Sequence, residues 1–508
     1  MRARAPALLP FIALALALGG PAHADPATIA IDAAIGKAKE AAAQENCAGV
    51  LAALDPIVPT LAQGEQRATV QRMRLVCLSV EGRAGDLSPV QRELAETMPR
   101  DGVVKAFGAI IAADENRFVD AADQIAALAN TSPGSLDVVT GAAVRAISAR
   151  LAEEHAQEPR AGMLIALARA DWEPADIPEL RVGFAEGAIE ALLEQGQAAE
   201  AEGLLERIDQ PELLSAMAID RRYSRLWPVI EARLGPASAV SVDRFARDKL
   251  ALFADTPESE TAIRDAANAM LLLGRHQDVL DVTDGVHVAE GMSRDAVRTI
   301  LYRARALATM RRDDEVDRLL GSFTTLDLRG APAASTALVS YAEFLDDIGR
   351  PARALTVARD VRTKAGDLLT ELGKRWLDRT EVCALTALGR FAEASDAMTA
   401  LKQRAADNQP AAIEALLCAH RDAEAAQIAL KAFGNDETAG ELLLQFQPGA
   451  SLWAPAPSRL RDLWIAFLAR PEIKAAFVRK GRILPRTFWP DPRPRAIPRR
   501  PADGAALT

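Results

Sequence analysis

Apolar and small residues recur along almost the whole chain at the three- and four-residue spacing of a helix that buries one face. No run shows the strict alternation of Val, Ile, Thr and aromatic residues that marks a half-buried strand. The pattern predicts an all-α fold. Its interruptions are regular: an apolar stretch ends in a polar turn, a short helix follows, and a Pro or Gly loop leads to the next stretch. That is the rhythm of helix hairpins.

One turn recurs in the second half. Leu273-Gly274-Arg275-His276-Gln277-Asp278-Val279, Ile348-Gly349-Arg350-Pro351-Ala352-Arg353-Ala354 and Leu388-Gly389-Arg390-Phe391-Ala392-Glu393-Ala394 share a design. Each ends an apolar helix with Gly, free to take a positive φ at a helix C-terminus, and starts another whose small residue permits close packing. Degenerate copies stand at Met310-Arg311-Arg312-Asp313-Asp314-Glu315-Val316 and Ala419-His420-Arg421-Asp422-Ala423-Glu424-Ala425, so that copies are spaced 31 to 40 residues apart, the range of two-helix repeats. Fainter copies lie upstream at Glu115-Asn116-Arg117-Phe118-Val119-Asp120-Ala121 and Glu194-Gln195-Gly196-Gln197-Ala198-Ala199-Glu200-Ala201, and Gln44-Glu45-Asn46-Cys47 opens a similar helix.

These segments resemble tetratricopeptide repeats, whose first helix ends in a Leu-Gly-x-aromatic turn before a helix with a fixed Ala. Gly389, Phe391 and Ala394 match the turn Gly, the aromatic and the Ala. The resemblance runs roughly from Thr261 to Phe433. The Trp and Gly early in the first helix are mostly missing and the repeat length varies, so a related superhelix of irregular helix pairs stays open. The resemblance implies a right-handed α-solenoid of antiparallel hairpins, some ten in all. Its concave face, lined by first helices, would receive extended peptides or partner helices. Tyr302, Arg303 and Arg305 on one first helix, and Tyr341, Glu343 and Phe344 on the next, are the candidate groove residues, although the aromatics suit a core better than the groove.

The expected organisation is a signal peptide over 1–24, irregular helical repeats over 25–236 and tetratricopeptide-like repeats over 237–452. A capping helix over 453–489 and a disordered Pro- and Arg-rich tail over 490–508 complete it. The soft boundary near Pro236 follows Asp220-Arg221-Arg222-Tyr223-Ser224-Arg225-Leu226-Trp227-Pro228, which reads as a linker or as a bulky hairpin. The segment Leu460 to Val478 carries Trp464, Phe467 and Phe477, suited to covering the apolar end of a stack.

The export signal rests on Arg2 and Arg4, the apolar run Leu8 to Leu18 and the small-x-small site Ala22-His23-Ala24. That run is too short to span a bilayer comfortably, and no later stretch is long and apolar enough. The Ala- and Arg-rich composition fits a bacterium with a GC-rich genome, which puts the exported product in the periplasm. Aromatics are only 5% of the chain, which favours thin, closely packed helices over a large round core. Net charge is −10, and −12 once Arg2 and Arg4 are removed, a balance that argues against nucleic acid as a ligand.

Four cysteines, Cys47, Cys77, Cys383 and Cys418, invite disulfides in an oxidising compartment. Three pairings are open. An extended array keeps distant segments apart, which favours Cys47 with Cys77 and Cys383 with Cys418, each pair within about 7 Å between Cα atoms. None forms a CxxC, so redox and zinc chemistry find little support.

A search for catalytic spacing finds no phosphate loop, HExxH, GxSxG, SxxK or EF-hand loop, and His155, His276, His287 and His420 have no ligand-spaced neighbours. No cofactor is implied. The C-terminal stretch is strongly basic. Lys474, Arg479, Lys480, Arg482, Arg486, Arg493, Arg495, Arg499 and Arg500 face only Asp491, a net of +8 that could meet an acidic partner or anionic lipid, or fold back on the acidic body. The leading expectation is therefore a periplasmic scaffold for other envelope proteins. A binder of cell-wall glycan or anionic membrane is the alternative, and an enzyme of unrecognised type would be revived by a deep pocket of converging polar groups with displaced titration.

Overall fold

The structure, a computed structural model, describes residues 26–448, 458–491 and 493–499. The expected signal peptide lies outside the described residues. Every regular element among those described is helical, and the single β-bridge joins Asp220 to Gly481. The chain forms two compact units, one up to Ile208 and one from Asp209. The division falls after Ile208 rather than near Pro236, because the Asp220–Leu234 region is folded into the second unit as a short helical hairpin.

In the first unit, Phe118–Thr131 packs on both Gly102–Asp114 and Gln157–Arg169, which in turn packs on Leu180–Glu194. In the second, Ala334–Asp347 packs on Pro351–Ala365 and on Glu371–Ala387, which packs on Phe391–Gln403 and on Gln409–Cys418. Neighbour and next-but-one contacts of this kind are what helical repeats make.

The turn seen in the sequence is the recurring local structure. Gly274, Gly349 and Gly389 have φ of +71°, +75° and +72°. After each, the next N–H reaches back to the carbonyl five residues earlier: Arg275 to Met270, Arg350 to Leu345 and Arg390 to Leu385. This Schellman closure satisfies carbonyls that the helix end would leave orphaned. The same positive φ and the same bond recur at Glu45, Gly82, Asn116, His155, Asp171, Gly196, Arg311 and His420. Asp171 aside, successive turns lie 31 to 41 residues apart, with one step, Gly196 to Gly274, of two such lengths.

The two helices flanking a turn start by different chemistry. Six first helices are capped by a side chain: Asp101, Thr140, Ser259, Ser293, Thr370 and Asn408 each accept from the N–H three residues on. Six second helices leave the left-handed turn with Arg and no side-chain cap. That Arg instead pairs with an acid three residues later, as in Arg83–Asp86, Arg117–Asp120, Arg275–Asp278, Arg312–Glu315, Arg390–Glu393 and Arg421–Glu424. The acid sits in the first turn, where the helix dipole favours it. The motif's small residue is buried at Ala354, Ala394 and Ala425. Phe391, the aromatic of the turn, is not buried with it: the residue is 68% exposed.

Both expected disulfides are formed. Cys47 opens Cys47–Leu54 and Cys77 lies in the last turn of Glu65–Val80, with 4.8 Å between Cα atoms. Cys383 and Cys418 join two first helices at 5.2 Å.

The C-terminal region differs from the expected single capping helix. Pro471 cannot continue a helix through its nitrogen, and the segment becomes two, Arg459–Leu468 and Pro471–Lys480. Trp464, Phe467 and Phe477 gather around Phe446, next to Phe433, and close the last hairpins. The tail is also held rather than disordered over 493–499. The Arg495 N–H donates to the Leu273 carbonyl at 2.9 Å, and its guanidinium pairs with Asp243. Upstream, the Ser238 hydroxyl donates to the Phe488 carbonyl at 2.6 Å.

The turn geometry sets a paired prediction. A Cβ at Gly389 would meet nothing within 4 Å, so Gly389→Ala carries backbone strain alone and should cost about 1 kcal/mol. His420→Gly, which relieves the same strain at φ 55°, should gain about 1 kcal/mol. Urea unfolding of both variants checks the opposite signs.

Candidate functional site

Three successive first helices of the second unit, Ala334–Asp347, Glu371–Ala387 and Gln409–Cys418, are tied together by a buried charge. Arg379, fully buried at the middle of the three, pairs with Glu414 and, at 3.3 Å, with Asp346. Burial works against the Arg379 charge, but Glu414, Asp346 and Glu343 outweigh it and raise its pKa. The C-terminal helix Arg459–Leu468 joins the same network. The Trp464 indole donates to Glu414 at 2.7 Å, Arg459 lies 3.4 Å from Asp346, and the Ser458 hydroxyl donates to Asp347 at 2.7 Å. So this helix does more than cover an end: it packs on Gln409–Cys418, reaches Ala334–Asp347 through Arg459, and leaves a cavity of about 500 Å³.

One helical stripe of Ala334–Asp347 faces that cavity, through Thr336, Ser340, Glu343 and Asp347. Leu368, Leu372 and Trp376 form an apolar wall, and Arg461, Gln445 and Trp464 close it from the C-terminal side. Arg461 donates to the Gln445 carbonyl at 2.8 Å, keeps Nε and Nη2 without a partner, and has its pKa lowered by burial.

Glu343 is the anomalous group. It has no hydrogen bond and no ion pair, although it stands among charged residues. Burial pushes its carboxyl up from 4.5 to about 7. Arg379 opposes that shift, while Glu414, Asp347 and Asp346 add to it. Burial also raises Asp346, against Arg379 and Arg459, and Asp347, against its Ser458 hydrogen bond. Chemically the cavity offers an uncompensated carboxylate that exchanges a proton near neutrality, hydroxyls, and an apolar flank. Among the described residues no His, Cys or Lys lines it. Among the described residues no group of three or more His, Cys, Asp or Glu could hold a metal ion.

The candidate groove residues separate. Only Glu343 lines this cavity. Tyr341 and Phe344 are core residues, 1% and 0% exposed, because their stripe of the helix faces the second helices rather than the groove. The Tyr341 hydroxyl donates to Asp317. Tyr302 is half-buried against the core, Arg305 is exposed, and Arg303 donates to the Thr283 carbonyl at 3.2 Å beside a separate cavity of about 430 Å³.

The basic C-terminal residues are largely committed within the chain. Lys480 pairs with Asp436, Arg482 with Glu231, Arg493 with Asp491 and Arg495 with Asp243. Arg482 also lies 3.6 Å over the Trp227 ring, and Arg486 lies over Trp489. Lys474, Arg479 and Arg499 are exposed, and Arg500 lies outside the described residues. No helix among the described residues is long and apolar enough to cross a membrane.

No known protein family model matches the chain, and no curated protein matches it. Among solved structures, one described as "Structure of Naa15/Naa10 bound to HypK-THB" overlaps 80% of this chain and 68% of that one, at 10% identity and a TM-score of 0.24. An overlap that loose carries no argument about function.

Because folded Glu343 binds its proton more tightly than the unfolded chain does, it costs stability as pH rises from 4.5 towards 7, and the full cost remains above that window. The shift corresponds to about 3 kcal/mol. Glu343→Gln should therefore stabilise the protein by about 2–3 kcal/mol at pH 8 and leave it unchanged at pH 4, read as the difference between denaturation curves at the two pH values.

Proposed function

We propose that the chain is an exported helical-repeat scaffold that works in the periplasm by docking other envelope proteins. On this reading the hairpins form a right-handed superhelix of tetratricopeptide type, and a partner segment lies along its first helices. The single observation that carries it is the cavity bounded by three successive first helices, with the apolar flank Leu368, Leu372 and Trp376 left facing it. The turn period and the predominance of contacts between neighbouring and next-but-one helices support the repeat architecture. Two disulfides support an oxidising compartment.

The test is capture from envelope extract with the full chain immobilised. The scaffold reading expects a stoichiometric protein that is retained by the wild type and lost when Trp376 and Leu372 are both changed to Asp. Retention of purified cell wall with no protein partner would overturn it in favour of glycan binding.

One observation favours a second reading. Glu343, poised near 7 beside Asp347 in a partly open pocket, has the titration of a general acid. Acid–base chemistry on a bound ligand would then show as turnover abolished by Glu343→Gln with ligand affinity kept.

A further inference from the structure

The charges around the cavity do not close. Ala334–Asp347 contributes Glu343, Asp346 and Asp347, Gln409–Cys418 contributes Glu414, Glu371–Ala387 contributes Arg379, and Arg459–Leu468 contributes Arg459 and Arg461. Helix Pro351–Ala365, packed on the other side of Ala334–Asp347, supplies no lining residue. Four carboxylates thus face three guanidinium groups. Arg379 and Arg459 are already engaged with Glu414 and Asp346, and Arg461 is drawn to the Gln445 carbonyl. What remains is Glu343, with no partner, and Asp347, held by one hydroxyl. Glu343 and Asp347 are partly buried, where an ion with no counter-ion is costly, and here the counter-ion's place is open space rather than packed atoms.

The shape of that space says what kind of cation it takes. Leu368, Leu372 and Trp376 line one side, with Leu368 and Leu372 partly exposed at the surface. An apolar wall suits a methylene stem, and a Trp face suits a cation or its stem. A hydrated metal ion has no use for such a wall, and an anion would be repelled.

Taking the first-helix groove as the docking surface, we propose that this cavity receives a basic side chain of the partner segment, its cationic tip seated against Glu343 and Asp347 and its stem along Trp376, Leu368 and Leu372. Docking then ionises Glu343, so that association releases a proton and strengthens as pH rises through neutrality. The partner is a protein whose docking segment carries Lys or Arg among small or apolar residues.

The experiment is calorimetry on the full chain with two capped tripeptides, Ala-Lys-Ala and its norleucine analogue, which keeps the stem and lacks the charge. The lysine peptide should bind at least tenfold more tightly than the norleucine peptide. Its affinity should rise about tenfold from pH 6 to pH 8. Titration at pH 7 in two buffers of different ionisation heat should show about half a proton released per peptide. Glu343→Gln, nearly isosteric and relieved of a buried charge, should fold at least as well, lose at least tenfold in lysine-peptide affinity and leave the norleucine peptide unaffected. Equal binding of the two peptides, no binding of either, or an unchanged affinity in Glu343→Gln overturns the proposal. The scaffold reading is tested separately: a captured envelope partner held equally by wild type and Glu343→Gln sinks the basic-side-chain pocket and leaves the scaffold. Peptide binding with proton release but no captured partner does the reverse.

Discussion

The second unit is organised around one buried guanidinium. Arg379 has no exposed surface, and its charge is tolerated only because Glu414 and Asp346, from the helices on either side, are brought to it. A hydrophobic replacement of the whole group would pack about as well, so such a network is weak evidence for stability and better evidence for position. Here it fixes the register of three first helices at once. The Cys383–Cys418 bond links two of the same helices, and Leu460 packs on it. Covalent and ionic ties therefore converge where the C-terminal helix lies, and the Trp464 bond to Glu414 seats that helix in turn. The cavity and the stranded Glu343 are consequences of that seating.

Around this knot, the architecture is local. A left-handed residue ends most first helices, in six of these hairpins an Arg and an acid three residues on start the second helix, and a small residue lets the two meet. The exposed pairs contribute little individually, about 0–1 kcal/mol each. Their repetition specifies where chain direction reverses, which matters more in an array than in a globule. Glu45, Asn116, His155, Asp171, Arg311 and His420 occupy the left-handed position without being Gly, so this geometry is imposed by packing of the flanking helices and not by the turn residue alone.

Much of this was legible in the sequence. The helical period, the Gly turns at 274, 349 and 389, and both cysteine pairs follow from spacing, because each depends on neighbours close along the chain. Two further turns, at Gly82 and His155, are not apparent as copies of the motif: Arg83 with Asp86 marks the first, whereas Ala156 follows the second and leaves it no such pair. The site was far less legible. Glu343 stood among the candidate groove residues, but Tyr341 and Phe344 beside it turned out to be core, since one residue's shift around a helix moves a side chain by about 100°. The signal that could have found the network was charge inside apolar helices: Arg379 before Val382-Cys383-Ala384-Leu385, and Glu414 within Ala411-Ala412-Ile413 and Ala415-Leu416-Leu417. The tail misled for a different reason. Its Pro and Arg content reads as disorder, while its contacts to Leu273, Ala239 and Asp243 come from more than two hundred residues away, beyond the reach of any local pattern.

Arg379 holds three helices as one body, and hydrogen exchange on Arg379→Met reads that coupling helix by helix. Removing one partner of a buried ion pair costs about 3–5 kcal/mol. The amides of Ala334–Asp347, Glu371–Ala387 and Gln409–Cys418 should therefore lose protection together, exchanging about a hundredfold faster or more, while the first unit keeps its wild-type protection. Exchange that changes in Glu371–Ala387 alone, or in none of the three, would contradict the account.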